Sequence, residues 1–116
     1  MVHTLLQGEV WFADLNPRFG TEPGKVRPVV VVQTDLLNSL HPSTVICPIT
    51  SKVRSDVDLL RVHLTKSNSG VGKPSDVLVD QVRAIDNRRF AKRIGKLKEK
   101  PLQLLKDRLK IVLDLE

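Results

Sequence analysis

The hydrophobic period of this chain changes once. Up to residue 95 the apolar residues stand in short blocks or alternate with polar ones. After Pro101 they recur as Leu102, Leu105, Leu109 and Val112, at spacings of three, four and three. The first pattern belongs to strands and the second to one face of a helix. Pro101 suits a helix's first turn, where its missing N–H costs nothing. Leu104, Ile111, Leu113 and Leu115 widen the apolar face, so this helix needs a large partner surface.

The strand-like part divides at its turn residues. A β-prone run at 9–15 follows Gly8 and stops at Asn16-Pro17, and a loop over 18–26 contains Gly20, Pro23 and Gly24. Residues 28–32, Pro-Val-Val-Val-Val, read as a buried strand. The run 44–50 reads as a third strand, and Pro48 within it, lacking an N–H, predicts an edge position or a bulge. Alternation over 60–64 predicts a half-exposed fourth strand, and 65–76 a long turn. Residues 77–79 open a fifth strand running on to Arg83, and 90–95 supply one more extended piece. Several short strands and one terminal helix predict an α+β, mainly β domain over residues 1–116, a small, strongly curved sheet or barrel capped by the helix.

Composition narrows the function classes. With 116 residues, one domain is expected. The longest apolar run is far shorter than the roughly 20 residues of a membrane helix, and no signal-peptide pattern opens the chain, so a cytoplasmic protein is expected. Cys47 is the only cysteine, which excludes an internal disulfide, and it reads as a small core residue. The charge is uneven: residues 1–87 hold nine basic and nine acidic groups, whereas 88–110 hold ten basic against Glu99 and Asp107. That block fits a polyanion, an acidic protein partner or a solvated lysine-rich face.

Gly70-Val71-Gly72-Lys73 lacks the glycine and the Ser or Thr that a phosphate loop needs, because Ser67 and Pro74 stand there. It reads as a hairpin turn. His3, His41 and His63 show no metal-ligand spacing, no nucleophile elbow is present, and neither metal nor cofactor is expected. The aromatics Trp11, Phe12, Phe19 and Phe90 are too few for an extended base-stacking platform, and Trp11 and Phe12 must face opposite sides of a strand. What remains is a polar cluster: Glu22, Lys25 and Arg27 before the second strand, Thr50-Ser51-Lys52 after the third, and Asp80-Gln81 after the fifth.

These segments, taken in order, resemble the MazF/PemK family of toxin endoribonucleases. The resemblance lies in 8–17 (GEVWFADLNP), Gly20-Thr21-Glu22, 26–33 (VRPVVVVQ), Pro48-Ile49-Thr50-Ser51 and 80–86 (DQVRAID), and extends through Ile111-Val112-Leu113. It implies a small SH3-like β-barrel, a homodimer, metal-independent cleavage of single-stranded RNA at short sequences, and a cognate acidic antitoxin. By position, Arg27 and Thr50 match the family's catalytic pair. Phe19, Thr21, Glu22, Lys25, Ser51, Lys52 and Gln81 are the RNA-binding candidates. Some PemK-type members carry an Arg two residues before the acidic residue; here Leu78 precedes Asp80.

The chemistry suits those residue types. RNA supplies its own nucleophile, the 2′-hydroxyl, and attack on phosphorus builds negative charge on the phosphorane oxygens. The planar guanidinium of Arg27 can meet that charge with paired hydrogen bonds, and Thr50 adds a neutral donor. Two alternatives stand beside this reading. A gyrase poison of the CcdB type resembles the same fold but uses an aromatic contact in its C-terminal tail, whereas this chain ends Leu113-Asp114-Leu115-Glu116. The other alternative is a non-catalytic RNA-binding barrel.

Overall fold

The computed structural model describes residues 4–17, 19–22 and 24–116; His3, Arg18 and Pro23 lie outside the described residues. Among the described residues, seven strands form one antiparallel sheet: β1 (Glu9–Asp14), β2 (Val26–Val31), β3 (Ser43–Thr50), β4 (Arg61–Leu64), β5 (Ser75–Leu78), β6 (Arg83–Asp86) and β7 (Phe90–Lys96). A one-turn helix, α1 (Lys66–Ser69), connects β4 to β5, and the terminal helix is α2 (Glu99–Val112). The path runs β4-β5-β3-β2-β1-β7, with β6 paired to β3.

The path does not return on itself, so the closed barrel expected from the sequence is corrected to an open, bent sheet. The reason is visible in the burial: apolar side chains pack on both faces rather than into one lumen. Val10, Val30, Cys47, Ile49, Val62, Val77 and Leu105 form one core, under α2. Leu5, Trp11, Ala13, Val29, Val31, Ile46, Ile85 and Phe90 form the other. The valines of β2 therefore alternate between two cores, as an uninterrupted apolar strand requires. Trp11 meets Phe90 edge to face at 5.9 Å, while Phe12 is exposed. Register shifts between β1 and β7 on either side of Trp11 and Phe12 add to the bend.

β3 is central, which corrects the edge position expected for Pro48. Along one side Val29, Val30 and Val31 of β2 face Pro48, Cys47 and Ile46. Along the other, β6 pairs with residues 43–46 and β5 with Ile49 and Thr50. Pro48 thus falls where β3 exchanges one partner for the next, a place where an absent donor breaks no ladder on that side. The expected fifth strand is also corrected: a 3₁₀ turn at Val79–Gln81 separates β5 from β6, and another at Asp58–Leu60 takes Leu60 out of β4.

Helix α2 buries Leu105 completely, and Leu102, Leu109 and Val112 pack half-buried against the same core. Leu104, Ile111, Leu113 and Leu115 remain exposed. Gly70, at φ +85, ends α1 in the left-handed conformation that favours glycine. It lies against Gly95 of β7: a Cβ on Gly95 would stand 2.3 Å from the Ser69 carbonyl oxygen and 3.0 Å from the Gly70 Cα. The backbones touch there because neither residue has a side chain.

Much of the basic block is engaged structurally. Glu9, buried in β1, accepts from Arg93 Nε at 2.6 Å, from Leu6 N–H at 2.8 Å and from Trp11 Nε1 at 3.3 Å. Arg89 donates to the carbonyls of Asp14 and Asn16, Arg108 to that of Asp58, and Arg88 pairs with Asp86. Among the described residues, no helix is long and apolar enough to cross a membrane.

Candidate active site

A groove of about 880 Å³ opens beside the ends of β2 and β3. Its walls include Arg27 and Thr50, together with Thr21, Glu22, Lys25, Lys52 and Gln81. A second groove of about 560 Å³ lies against it, and Arg27, Thr50 and Lys52 line both. Ser51 lines only the second. Phe19 lines neither; its ring is 81 % exposed on the loop before β2.

Arg27 and Thr50 are 23 positions apart in sequence and come together through strand register. Each recorded pair between β2 and β3 keeps the same offset, Val31 with Ile46, Val30 with Cys47 and Val29 with Pro48. The pairing ends there, and Arg27 and Thr50 each stand two residues further along, on the same end of the two strands. Cross-strand neighbours share a face, so both side chains reach the grooves.

The loop before β2 shapes the approach to Arg27. Lys25 takes φ +66, a left-handed conformation that strains a residue with a Cβ. Its N–H donates to Asn16 Oδ1 at 2.8 Å, and its carbonyl accepts from Leu15 N–H at 2.9 Å. The resulting turn leaves the Gly24 carbonyl 2.9 Å from Arg27 Nε, which fixes the plane of the guanidinium.

On the other side, Thr50 Oγ1 accepts from Lys52 N–H at 3.2 Å. The segment after Thr50 is held by Asp76, which the sequence reading leaves in a turn but which lies inside β5 with its side chain wholly buried. Asp76 Oδ2 accepts from Arg54 N–H at 2.9 Å and from Arg61 Nη1 at 3.0 Å, and Oδ1 lies 2.5 Å from His63 Nδ1. Arg61 Nη1 also donates to the Lys52 carbonyl at 3.0 Å.

Among the described residues, five basic side chains line the first groove, Lys25, Arg27, Lys52, Arg54 and Arg61, against two acidic ones, Glu22 and Asp80. Arg61 is paired with Asp76, and Arg54 with Asp56, whose carboxyl that guanidinium holds below the usual carboxylate range. Ile94 is the only member of the basic block at 88–110 to line either groove, so the cations of the site come from the first two-thirds of the chain. Asp80 and Leu78 both line the first groove. Burial, with the Asp80 charge added, pushes the Cys47 thiol up to about 12, and Cys47 is a core residue as expected. Sequence reasoning missed Asp76, Arg61 and Asn16. Only the alternation Arg61-Val62-His63 signals a polar face there, and it does not say what that face meets.

Comparison with known proteins fits this arrangement. Residues 6–113 match the family described as PemK-like, MazF-like toxin of type II toxin-antitoxin system. The chain is 33% identical over 109 residues to endoribonuclease EndoA of Bacillus subtilis, covering 94% of each protein. Its fold is similar to the crystal structure of MazF from Deinococcus radiodurans, with TM-score 0.84, 24% identity and coverage of 97% of this chain and 99% of that one. It is similar also to a MazE-MazF crystal structure from the same organism, with TM-score 0.80, 24% identity and coverage of 98% and 99%. With the family matched over nearly its whole length, the chain belongs to the PemK/MazF toxins of type II toxin-antitoxin systems.

Proposed function

We propose that this endoribonuclease toxin cuts single-stranded RNA at short sequences, using Arg27 and Thr50 as its catalytic pair and needing neither metal nor cofactor. The observation that carries the reading is the convergence of Arg27 and Thr50, from two adjacent strands, on the ridge shared by two grooves. The substrate's 2′-hydroxyl loses its proton as its oxygen bonds to the adjacent phosphorus, the bond to the 5′-oxygen breaks as that oxygen takes up a proton, and the products are a 2′,3′-cyclic phosphate and a 5′-hydroxyl. A guanidinium with a pKa above about 12 stays protonated, so Arg27 stabilises the phosphorane charge and does not serve as base. An oxygen that accepts from a backbone N–H keeps its own O–H to donate, and Thr50 Oγ1 is in that position.

RNA runs along the first groove past Thr21, Glu22, Lys25, Lys52 and Gln81, crosses the ridge, and meets Ser51 in the second. Phe19 offers its exposed ring to a base. The working form is a cytoplasmic homodimer of this single toxin domain, residues 1–116, and the toxin-antitoxin family implies a cognate antitoxin, whose acidic segment competes with RNA for the same cations. The apolar residues of α2 left exposed support association. Among the described residues no three His, Cys, Asp or Glu side chains are placed to hold a metal ion.

The test is an RNA with a single deoxynucleotide 5′ of the scissile phosphate. It should bind and resist cleavage, and chelator should leave cleavage of the all-ribose substrate unaffected. Cutting of the deoxy-substituted strand would overturn the mechanism.

A further inference from the structure

Asp76 is a fully buried carboxylate with three partners on one edge of the sheet, and two of its connections run to the segment that follows Thr50. It lies directly opposite Thr50 in the β3–β5 register and opposite His63 in the β4–β5 register, so Thr50, Asp76 and His63 form a row across three strands. We infer that Asp76 is a positioning residue for the Thr50 hydroxyl. The inference rests on the role given to Thr50 in the proposed function.

The chain of contacts is short. Asp76 Oδ2 holds Arg54 N–H at 2.9 Å and Arg61 Nη1 at 3.0 Å. The same Arg61 nitrogen reaches the Lys52 carbonyl at 3.0 Å. The chain is thereby held just after the Lys52 N–H, at the Lys52 carbonyl and again two residues onward. Its N–H is the group that donates to Thr50 Oγ1, at 3.2 Å. That donation occupies one lone pair of the hydroxyl and directs its hydrogen away from Lys52. Without Asp76, Arg61 loses its counter-charge and Arg54 N–H its acceptor. The segment is then free to leave the position from which Lys52 orients Thr50. From β4, His63 Nδ1 meets Asp76 Oδ1, and Asp58 Oδ1 in the turn before β4 lies 3.8 Å from His63 Nε2.

A residue that only supported the fold would lower stability without coupling to Thr50, so a double-mutant cycle separates the two roles. Single-turnover cleavage at saturating RNA is measured for Thr50→Val, Asp76→Ala and the double variant, with thermal unfolding of each. Thr50→Val should lose up to the ~10²–10³-fold that removal of one transition-state donor costs. Asp76→Ala should lose a similar factor, and the double variant should fall within about 2-fold of Thr50→Val, the scatter of a fully shared effect. Asp76→Asn, isosteric and still an acceptor for Arg54 N–H, should recover most of what alanine loses. If Asp76→Ala does not fold, Asp76→Thr is judged by the same criteria, since it keeps volume and strand preference while one short hydroxyl cannot hold both Arg54 and Arg61.

Losses that multiply in the double variant would overturn the inference and leave Thr50 catalytic, as would a folded Asp76→Ala or Asp76→Thr with undiminished turnover. Full activity of Thr50→Val would instead remove the catalytic pair itself, and the inference with it.

Discussion

The Gly24 carbonyl holds Arg27 Nε at 2.9 Å, so the guanidinium is presented to the groove in a fixed plane. That plane matters for paired bonds to phosphate oxygens and not for a point charge. Arg27→Lys should therefore lose nearly as much turnover as Arg27→Ala, which should fall by at least ~10²-fold. Both variants should keep the wild-type circular dichroism spectrum. A lysine variant with near-native turnover would show that charge alone suffices.

Lys25 separates stability from binding. Glycine at this position relieves the left-handed strain, about 1 kcal/mol, and gives back a similar amount in unfolded-chain entropy. Lys25→Gly should thus leave the unfolding free energy within ~1 kcal/mol of wild type. Removing one cation from the groove should at the same time weaken binding of uncleavable RNA and flatten its salt dependence. Isothermal binding at two salt concentrations checks this.

Among the core-facing leucines of helix α2, Leu105 is the one buried completely. Leu105→Ala should destabilise by about 2–5 kcal/mol, because a fully buried leucine leaves a cavity under the helix. Leu104→Ala, one position along on the exposed side, should change the free energy of the isolated protomer by less than ~0.5 kcal/mol. Denaturant unfolding of the two variants at low protein concentration reads the difference.

Arg88 beside Asp86 pulls that carboxyl down to about 2. A depressed folded value means that the pair favours the folded state above the unfolded carboxyl's range, and that this contribution fades as pH falls toward 2. A carbon-detected titration should place the Asp86 midpoint near 2, and Arg88→Ala should raise it only part of the way toward about 3.9, because the backbone N–H of residue 88 still donates to the carboxylate. An unchanged midpoint in the variant would remove Arg88 as the cause.

Burial places the Cys47 thiol near 12, so it should resist alkylation at pH 8 in the folded protein and react at the rate of global unfolding. Mass spectrometry of timed samples, with and without denaturant, measures this.

The parts of the fold legible in the sequence are those set by local period. Leu102, Leu105 and Leu109 mark α2 because spacings of three and four are a helix's own repeat, and 29–31 mark β2 because valines without interruption fit only a strand covered on both sides. The break at Val79–Gln81 and the turn of α1 leave no such trace: three and four residues are too few to show a period. Pro48 misled for a related reason. An edge and a central strand that changes partners both tolerate the lost donor, and the difference lies in β5 and β6, at a distance along the chain.

The candidate site divides in the same way. Arg27 and Thr50 are noticed because the segments around them resemble a family, while their juxtaposition comes from an offset between strands that no local pattern encodes. Asp76 was hidden more deeply. An acidic residue after Pro74-Ser75 has the look of a turn, and only the β4–β5 register brings Arg61 and His63 to surround it.

The contact between Gly70 and Gly95 has a bearing on the second groove, since Val71 and Gly72 follow the first glycine and Ile94 precedes the other, and all three form part of that groove's wall. Two missing methyl groups let the backbones behind that wall approach. A methyl at position 95 would meet the Ser69 carbonyl oxygen at 2.3 Å, so the backbone along that side of the second groove would have to shift. The first groove shares Arg27, Thr50 and Lys52 with the second but not Val71, Gly72 or Ile94, so the glycine contact bears on one opening more directly than on the other.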